Sequence, residues 1–326
     1  MRFIIREETD PWFNIAAEEH FLKNKQDEFF MLWRSEPSVI IGKHQNALAE
    51  INMQFVRRHK LPVIRRITGG GTVYHDEGNL NFTFIRNAEH ANLVDFRKQM
   101  DPVIDALRKM GLPAEFHGRN NILMNGLKVS GNSEHIYKNR VLHHGTLLFA
   151  SNLEYLDQAI NPPELKYHDK AVRSLRSRVG NISGMLDQPL TMELFTERIM
   201  NHIRNYFPGG DDDEFTNDDH TAIDQLAEEK YRRWEWNYGY SPKYTFRVEL
   251  AAGKNELLIE LSVRDGIIQR AKLTGTSATG NMKALIPHIL EGIPHEESAI
   301  LATFRKHRAE CQESGIDPER LAGRLF

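Results

Sequence analysis

A single cysteine, Cys311, stands in 326 residues. One thiol cannot close an internal disulfide, which fits a reducing cytoplasm. No run of about 18 apolar residues occurs, so no segment is expected to span a membrane. The opening stretch Met1-Arg2-Phe3-Ile4-Ile5-Arg6-Glu7-Glu8 lacks the apolar core of a secretion signal. Nor is there an excess of one charge: 42 basic residues face 45 acidic ones, a net of −3 with histidine neutral. That balance argues against a nucleic-acid partner, which usually calls for a basic surplus. Internal repeats and low-complexity blocks are also missing. What is present is an ordinary globular composition, 40% hydrophobic and 27% charged, in a length that predicts roughly two domains.

Asp10 before Pro11 reads as an N-cap with proline at the first helical position. Ile15, Ala16, Phe21 and Leu22 then form an apolar stripe that carries a helix to about Lys25. Strands are predicted over 29–33, 39–41, 63–66, 80–85, 114–116, 122–124, 128–130 and 141–149, with helices near 55–59, 94–110, 191–206 and 223–234. Asn237, Gly239, Ser241 and Pro242 interrupt the pattern and mark a boundary. Beyond it, 244–250, 256–262 and 267–273 read as a three-stranded meander with Asp265-Gly266 as a tight turn, followed by helices over 282–290 and 296–311. The expected fold class is therefore α/β with mixed sheets (α+β in each half), divided into residues 1–243 and a small α+β domain at 244–326. The acidic run 211–214 lacks the glycine and terminal glutamate of a calcium loop and reads as solvated.

Three segments concentrate chemistry. In Arg65-Arg66-Ile67-Thr68-Gly69-Gly70-Gly71-Thr72-Val73-Tyr74-His75-Asp76, successive glycines bare the backbone N–H groups, and the flanking arginine offers bidentate phosphate contacts. The spacing fits neither a Walker loop nor a dinucleotide fingerprint, and a plain glycine-rich turn at a sheet edge remains the competing reading. In Gly118-Arg119-Asn120-Asn121, followed by Asn125-Gly126-Leu127-Lys128-Val129-Ser130-Gly131, the Asn-Gly hairpin puts Lys128 on the returning strand. There it either grips phosphate as a compact charge or snorkels at a strand edge. In His143-His144-Gly145-Thr146, the two histidines must face opposite sides of a strand, one toward a cleft and the other toward a core or surface partner. No metal-ligand spacing accompanies them.

Taken in order, these segments resemble the lipoate–protein ligase A family of the biotin/lipoate ligase superfamily. Asp10-Pro11-Trp12-Phe13-Asn14, Leu32-Trp33, Gly42-Lys43-His44-Gln45-Asn46, Val172-Arg173-Ser174 and Arg176-Ser177-Arg178-Val179 are similar to it as well. The resemblance covers essentially the whole chain and implies a biotin/lipoate-ligase-like catalytic domain with a C-terminal accessory domain. It implies ATP with Mg²⁺ as co-substrate, lipoate as substrate, and no tightly bound prosthetic group. The implied acceptors are apo-lipoyl domains of 2-oxoacid dehydrogenase acyltransferase subunits and the glycine cleavage H protein.

Residue by residue, the resemblance places Lys128 on both the lipoate carboxylate and the α-phosphate, and lays Gly69, Gly70 and Gly71 over the lipoyl chain and adenylate. Arg66 and Thr68 match flanking contacts. Thr72, Val73 and Tyr74 match backbone contacts to the nucleotide, and His75 completes the motif. Arg119, Asn121 and Thr146 match positions near the acyl-adenylate. Trp33 and His144 join Gly70, Gly71, His75 and Lys128 around the lipoate pocket. The chain departs from the family where Asn121 replaces an aspartate, leaving any metal ligands unknown, and where His135 stands at an arginine position of some members. It departs again at Thr274-Gly275-Thr276-Ser277, where members often have Gly-Asp-Phe. Two alternatives stand beside the ligase. One is a lipoyl or octanoyl transferase drawing on preformed lipoyl-AMP or an acylated carrier, which Cys311, outside every motif, does not support as a thioester enzyme. The other is a lipoate-binding homologue without turnover.

Overall fold

A computed structural model describes the chain except residues 88–94, 163–166, 253–254, 277, 315–316 and 326. In chain order the elements are β1 (Arg2–Arg6), α1 (Pro11–Asn24), β2 (Phe29–Trp33), β3 (Ser38–Ile41), α2 (Ala47–Glu50), α3 (Met53–Arg58), β4 (Val63–Arg65), β5 (Val73–His75) and β6 (Asn79–Asn87). They continue with α4 (Phe96–Lys109), β7 (Glu115–His117), β8 (Asn121–Met124), β9 (Leu127–Tyr137), β10 (Arg140–Leu148), α5 (Leu153–Ile160), β11 (Tyr167–Asp169), α6 (Met192–Tyr206), β12 (Asp211–Asp212) and α7 (Asn217–Leu226). Last come β13 (Tyr244–Ala252), β14 (Asn255–Arg264), β15 (Ile267–Thr274), α8 (Gly280–Leu290), α9 (Glu297–Lys306), α10 (Arg308–Glu313) and α11 (Pro318–Ala322). Val94, expected to open α4, lies outside the described residues, as does Ser277.

Two compact units divide the chain. The first holds Met1–Lys43, Val56–Ile160 and Ser174–Arg233, and the second holds His44–Phe55, Asn161–Arg173 and Trp234–Phe326. Residues 44–55 and 161–173 thus group with the C-terminal part rather than with the rest of 1–243. The reason is local: β11 pairs with β13, and Leu48 and Ala49 are buried in the same core as Phe246, Ile259 and Phe304.

The first unit is built on a mixed eight-stranded sheet in the order β12-β1-β2-β6-β10-β9-β8-β7. Alternation along β10 sends neighbouring side chains to opposite faces. His143 points toward Phe96 at the start of α4, and His144 toward Glu18 on α1. On the α4 side the apolar core includes Phe82, Phe84, Val103, Leu107, Phe195 and Ile199. On the other side α1 is buried around most of its circumference, from Phe13 to Leu22. Asp10 caps it by accepting from the Trp12 and Phe13 amides at 2.8 and 3.0 Å, as its sequence position implies. A small sheet, β4-β3-β5, carries the glycine loop between β4 and β5.

The second unit contains the meander. β13, β14 and β15 pair antiparallel, with β11 added at the edge. Asp265 and Gly266 turn the last hairpin at φ +52° and +72°, the left-handed pair that suits a two-residue loop. The helix expected over 296–311 breaks at His307 into α9 and α10. Asp211 and Asp212, expected in a loop, form an exposed edge strand parallel to β1, and Asp212 pairs with Arg204. Among the described residues no helix is long and apolar enough to cross a membrane.

Candidate active site

Every candidate site residue lies in the first unit. Asn125 and Gly126 make the tight turn between β8 and β9 at φ +50° and +76°, and β9 runs on to Tyr137, far beyond the short strand expected. Lys128 sits near its start. The Lys128 amide donates to the Arg178 carbonyl at 2.8 Å, and the Lys128 carbonyl accepts from the Gly180 amide at 3.1 Å, so a strand-like segment flanks it. A Cβ on Gly131 would meet Lys128 Cε and Nζ at 3.0 Å, so the missing side chain there makes room for the ammonium. Thr146 Oγ1 accepts from the Gly131 amide at 3.2 Å and holds that strand from β10.

Lys128 is half-buried, and among the described residues its ammonium faces no carboxylate partner. Burial lowers its pKa, and the Arg66 cation lowers it further. A cation left without a counter-charge beside another cation favours an incoming anion.

Arg66 bonds within the protein. Its Nη2 donates to the carbonyls of Gly69 and Gly71 at 2.6 and 2.7 Å, its Nη1 to the Ile40 carbonyl at 3.1 Å, and its Nε to Thr68 Oγ1 at 2.9 Å. Four of five guanidinium N–H groups are thereby used inside the protein, so Arg66 scaffolds the glycine loop. Ser133 Oγ adds a bond to the Gly69 carbonyl at 2.8 Å. In a trans peptide the N–H points opposite to the C=O. Drawing the Gly69 carbonyl inward therefore turns the Gly70 amide outward, on an exposed residue. Gly70 adopts φ +86°, which an L side chain rarely accepts. The loop is a built cradle rather than a plain turn. Despite its tight bonding, burial depresses the Arg66 pKa to about 10, with Glu18 pulling the other way.

Thr72 lies next along the loop, its amide donating to Ser174 Oγ at 2.9 Å. Val73, Tyr74 and His75 form β5, an edge strand paired to β3 within its sheet. Burial raises the Tyr74 hydroxyl above its ordinary range. His75 is buried against the Trp33 ring edge, 5.7 Å between centroids, and its Nδ1 has no hydrogen-bond partner among the described residues. Burial, then Arg66 and His144, push its pKa down to about 3, so it is a neutral ring. Asp76 anchors the end of the segment, accepting from Ser151 Oγ at 2.6 Å, the Asn152 amide at 2.7 Å and the Gly78 amide at 3.0 Å.

His144 joins the cradle through Thr68 Oγ1 at 2.8 Å and contacts both Glu18 oxygens at 2.9 Å. His143 belongs to the opposite face, bonded to Glu134 at 2.9 Å and stacked on Phe82. Of the two histidines, His144 is the one bonded to the residue that flanks the glycine loop.

Two expected residues stand apart from this group. Arg119 is exposed, 5.7 Å over the Phe96 ring, and shares none of the contacts that join Arg66 to the glycine loop. Asn121 opens β8 half-buried, opposite Gly131. His135 is half-buried, and burial together with Lys43 lowers its pKa, so it does not supply the positive charge of an arginine. Glu18 and Ser133 were not singled out in the sequence, and Ser174 entered only within the Val172-Arg173-Ser174 match, with no role given. A carboxylate inside the apolar stripe of α1 was the one available signal for Glu18.

A sequence profile described as the lipoyl protein ligase A/B catalytic domain matches residues 10–204. The chain is 37% identical to lipoate-protein ligase LplJ of Bacillus subtilis, over 89% of each chain. It is 39% identical to lipoate–protein ligase 1 of Staphylococcus aureus, over 84% of each. Its fold is similar to that of P. falciparum LipL1 in complex with lipoate, with a TM-score of 0.64 at 23% identity over 96% of this chain and 98% of that one. A lipoate-protein ligase A bound with ATP matches at 0.63 and 24% identity, over 73% of this chain and 98% of that one. With a profile spanning more than half its length and relatives this similar along most of it, the chain belongs to the lipoyl protein ligase A/B family.

Proposed function

We propose that this chain activates lipoate with ATP and transfers the lipoyl group to a lysine of apo-lipoyl domains. The single observation that carries the site assignment is Lys128: a half-buried ammonium without a carboxylate partner among the described residues, beside the Arg66-held glycine loop. In the first step a lipoate carboxylate oxygen forms a bond to the α-phosphorus, the α–β phosphoanhydride bond breaks, and pyrophosphate leaves. Two anions crowd together there, and Lys128 between them lowers the barrier. The outward Gly70 amide adds a fixed donor. In the second step the acceptor amine attacks the acyl carbon, AMP leaves, and the amine loses its proton. Lys128 then faces the developing oxyanion, and no protein nucleophile is needed.

Trp33, His75 and His144, with Gly70 and Gly71, are read as walls of the lipoate pocket. Thr72, Val73 and Tyr74 are read as backbone contacts to the nucleotide. Arg119, Asn121 and Thr146 are kept as adenylate-side candidates. Mg²⁺ is expected to arrive as the ATP complex. Among the described residues no group of three metal-ligating side chains exists, and both Asp76 oxygens are already taken, so the residues present do not form a cage for it. The acceptors are read as lipoyl domains of 2-oxoacid dehydrogenase acyltransferase subunits and the glycine cleavage H protein, in the cytoplasm. Catalysis is assigned to the 1–243 region and an accessory role to 244–326.

The test is lipoate-dependent ATP–pyrophosphate exchange by the wild type and Lys128→Ala, with biotin as a substrate control. Exchange that vanishes in the variant supports the reading. Absent exchange with intact transfer from synthetic lipoyl-AMP would overturn the activation step and leave a transferase.

A further inference from the structure

Glu18 lies on α1 with 1% of its surface exposed, within a helix that is otherwise largely apolar there. A buried carboxylate is costly unless it is well paired, so its bonds have to explain it. Trp33 Nε1 can only donate, and it donates to Thr83 Oγ1 at 3.0 Å, which sends the Thr83 hydroxyl hydrogen to Glu18 Oε1 at 2.6 Å. Arg66 Nε can also only donate, and it reaches Thr68 Oγ1 at 2.9 Å. Thr68 Oγ1 also meets His144 Nε2 at 2.8 Å; because the Glu18 oxygens that face His144 Nδ1 act as acceptors, Nδ1 carries the ring proton and the Thr68 hydroxyl hydrogen goes to Nε2. The ring proton is left on Nδ1, facing both Glu18 oxygens at 2.9 Å. In this arrangement every donor is matched. Its two ends are donor-only groups, and its centre is a group that accepts from both directions, which an ionised carboxylate does and an amide does poorly.

We propose that Glu18 is a positioning residue of the adenylation site, fixing Arg66 and with it the three-glycine loop through His144 and Thr68. This rests on the ligase reading above. Glu18 makes no hydrogen bond to the loop or to Lys128 and acts through the relay and through its charge on Arg66. An amide at this position turns an N–H toward His144 Nδ1, the ring proton moves to Nε2, and the Thr68 hydroxyl hydrogen loses its acceptor. Thr68 then turns to find another acceptor, and the Nε bond that orients Arg66 turns with it, loosening the guanidinium that holds the Gly69 and Gly71 carbonyls.

The experiment combines pyrophosphate exchange and melting of the full-length protein for Glu18→Gln, Thr68→Val, their double variant and Thr68→Ser. It adds ¹⁵N-histidine NMR, with His144→Gln for assignment. Each of Glu18→Gln and Thr68→Val is expected to lower kcat/KM for ATP by about 10- to 100-fold. The double variant should fall no more than about threefold below the worse single, because both break one relay. Thr68→Ser, which returns the hydroxyl, should recover at least about tenfold of the Thr68→Val loss, and this pair carries the test if Glu18→Gln does not fold. NMR should show the Nδ1–H tautomer of His144. Exchange within twofold of wild type in Glu18→Gln or Thr68→Val, multiplying losses in the double, or an Nε2–H tautomer overturns the proposal. A wild type that shows no exchange defeats the ligase reading instead, and the tautomer still decides the relay.

Discussion

A Cβ placed on Gly70 would stand 3.0 Å from Arg66 Nη2 while the backbone holds φ +86°. The residue at this point of the loop must therefore be both left-handed and bare. Gly69 differs: a Cβ there meets nothing within 4 Å. We expect Gly70→Ala to destabilise the protein by about 1–2 kcal/mol. It should also cut lipoate-dependent exchange at least about tenfold as the loop moves off Arg66. Gly69→Ala should melt within about 0.5 kcal/mol of wild type. Equal melting of the two variants would contradict this account of the loop.

Lys128 is held at the expense of stability. Its folded-state pKa is lowered by burial and by Arg66, so the charged form is disfavoured in the fold, and the penalty is present at neutral pH and relieved only above its folded pKa. Lys128→Met should raise apo-protein stability at pH 7 by about 1 kcal/mol while abolishing exchange. A loss of stability at pH 7 would argue that the ammonium has an internal partner.

Acid sensitivity follows from His75, whose pKa is pushed down to about 3 by burial, then Arg66 and His144. Between that value and the ordinary histidine value of about 6.5, the unfolded chain binds a proton that the folded protein refuses. Stability therefore falls as pH drops through this window, at up to about 1.4 kcal/mol per pH unit for this group. His75→Gln should give a shallower loss of stability from pH 7 to pH 5. His295 in the second unit, depressed to about 4 by burial, keeps its own share of the slope. An unchanged slope in the variant would rule out His75 as a contributor.

Cys311 is fully buried in the core of the second unit, and burial raises its thiol pKa. Neither exposure nor thiolate character suits it to carry an acyl group. Cys311→Ala should leave lipoyl transfer within twofold of wild type and lower stability by about 1 kcal/mol through lost packing. Loss of transfer in a variant that still melts cooperatively would revive a thioester route.

Local chemistry was readable wherever neighbours in sequence decide the outcome. The Asp10-Pro11 helix start, the Asn125-Gly126 and Asp265-Gly266 turns and the strand cores at Phe29–Trp33 and Val63–Arg65 all emerge as expected. The short Lys128–Ser130 strand was underestimated because Gly131, Asn132, Ser133 and Glu134 carry little strand propensity. Gly131 is held in the sheet by pairing with Asn121 on β8, and Asn132, Ser133 and Glu134 by pairing with Gly145, His144 and His143 on β10. β1 and α5 were missed altogether.

The sequence by itself determined the motifs, their order and hence the family, along with the solitary cysteine that sits in none of them. Glycine freedom, proline geometry and strand alternation are properties of a residue and its immediate neighbours, and they survive without a fold. Only the tertiary structure decided that Arg66 bonds the glycine-loop carbonyls, which histidine bonds Thr68, and that Glu18 is its partner. Those outcomes depend on hydrogen bonds between residues as far apart as Glu18, Thr68 and His144, which no local pattern encodes.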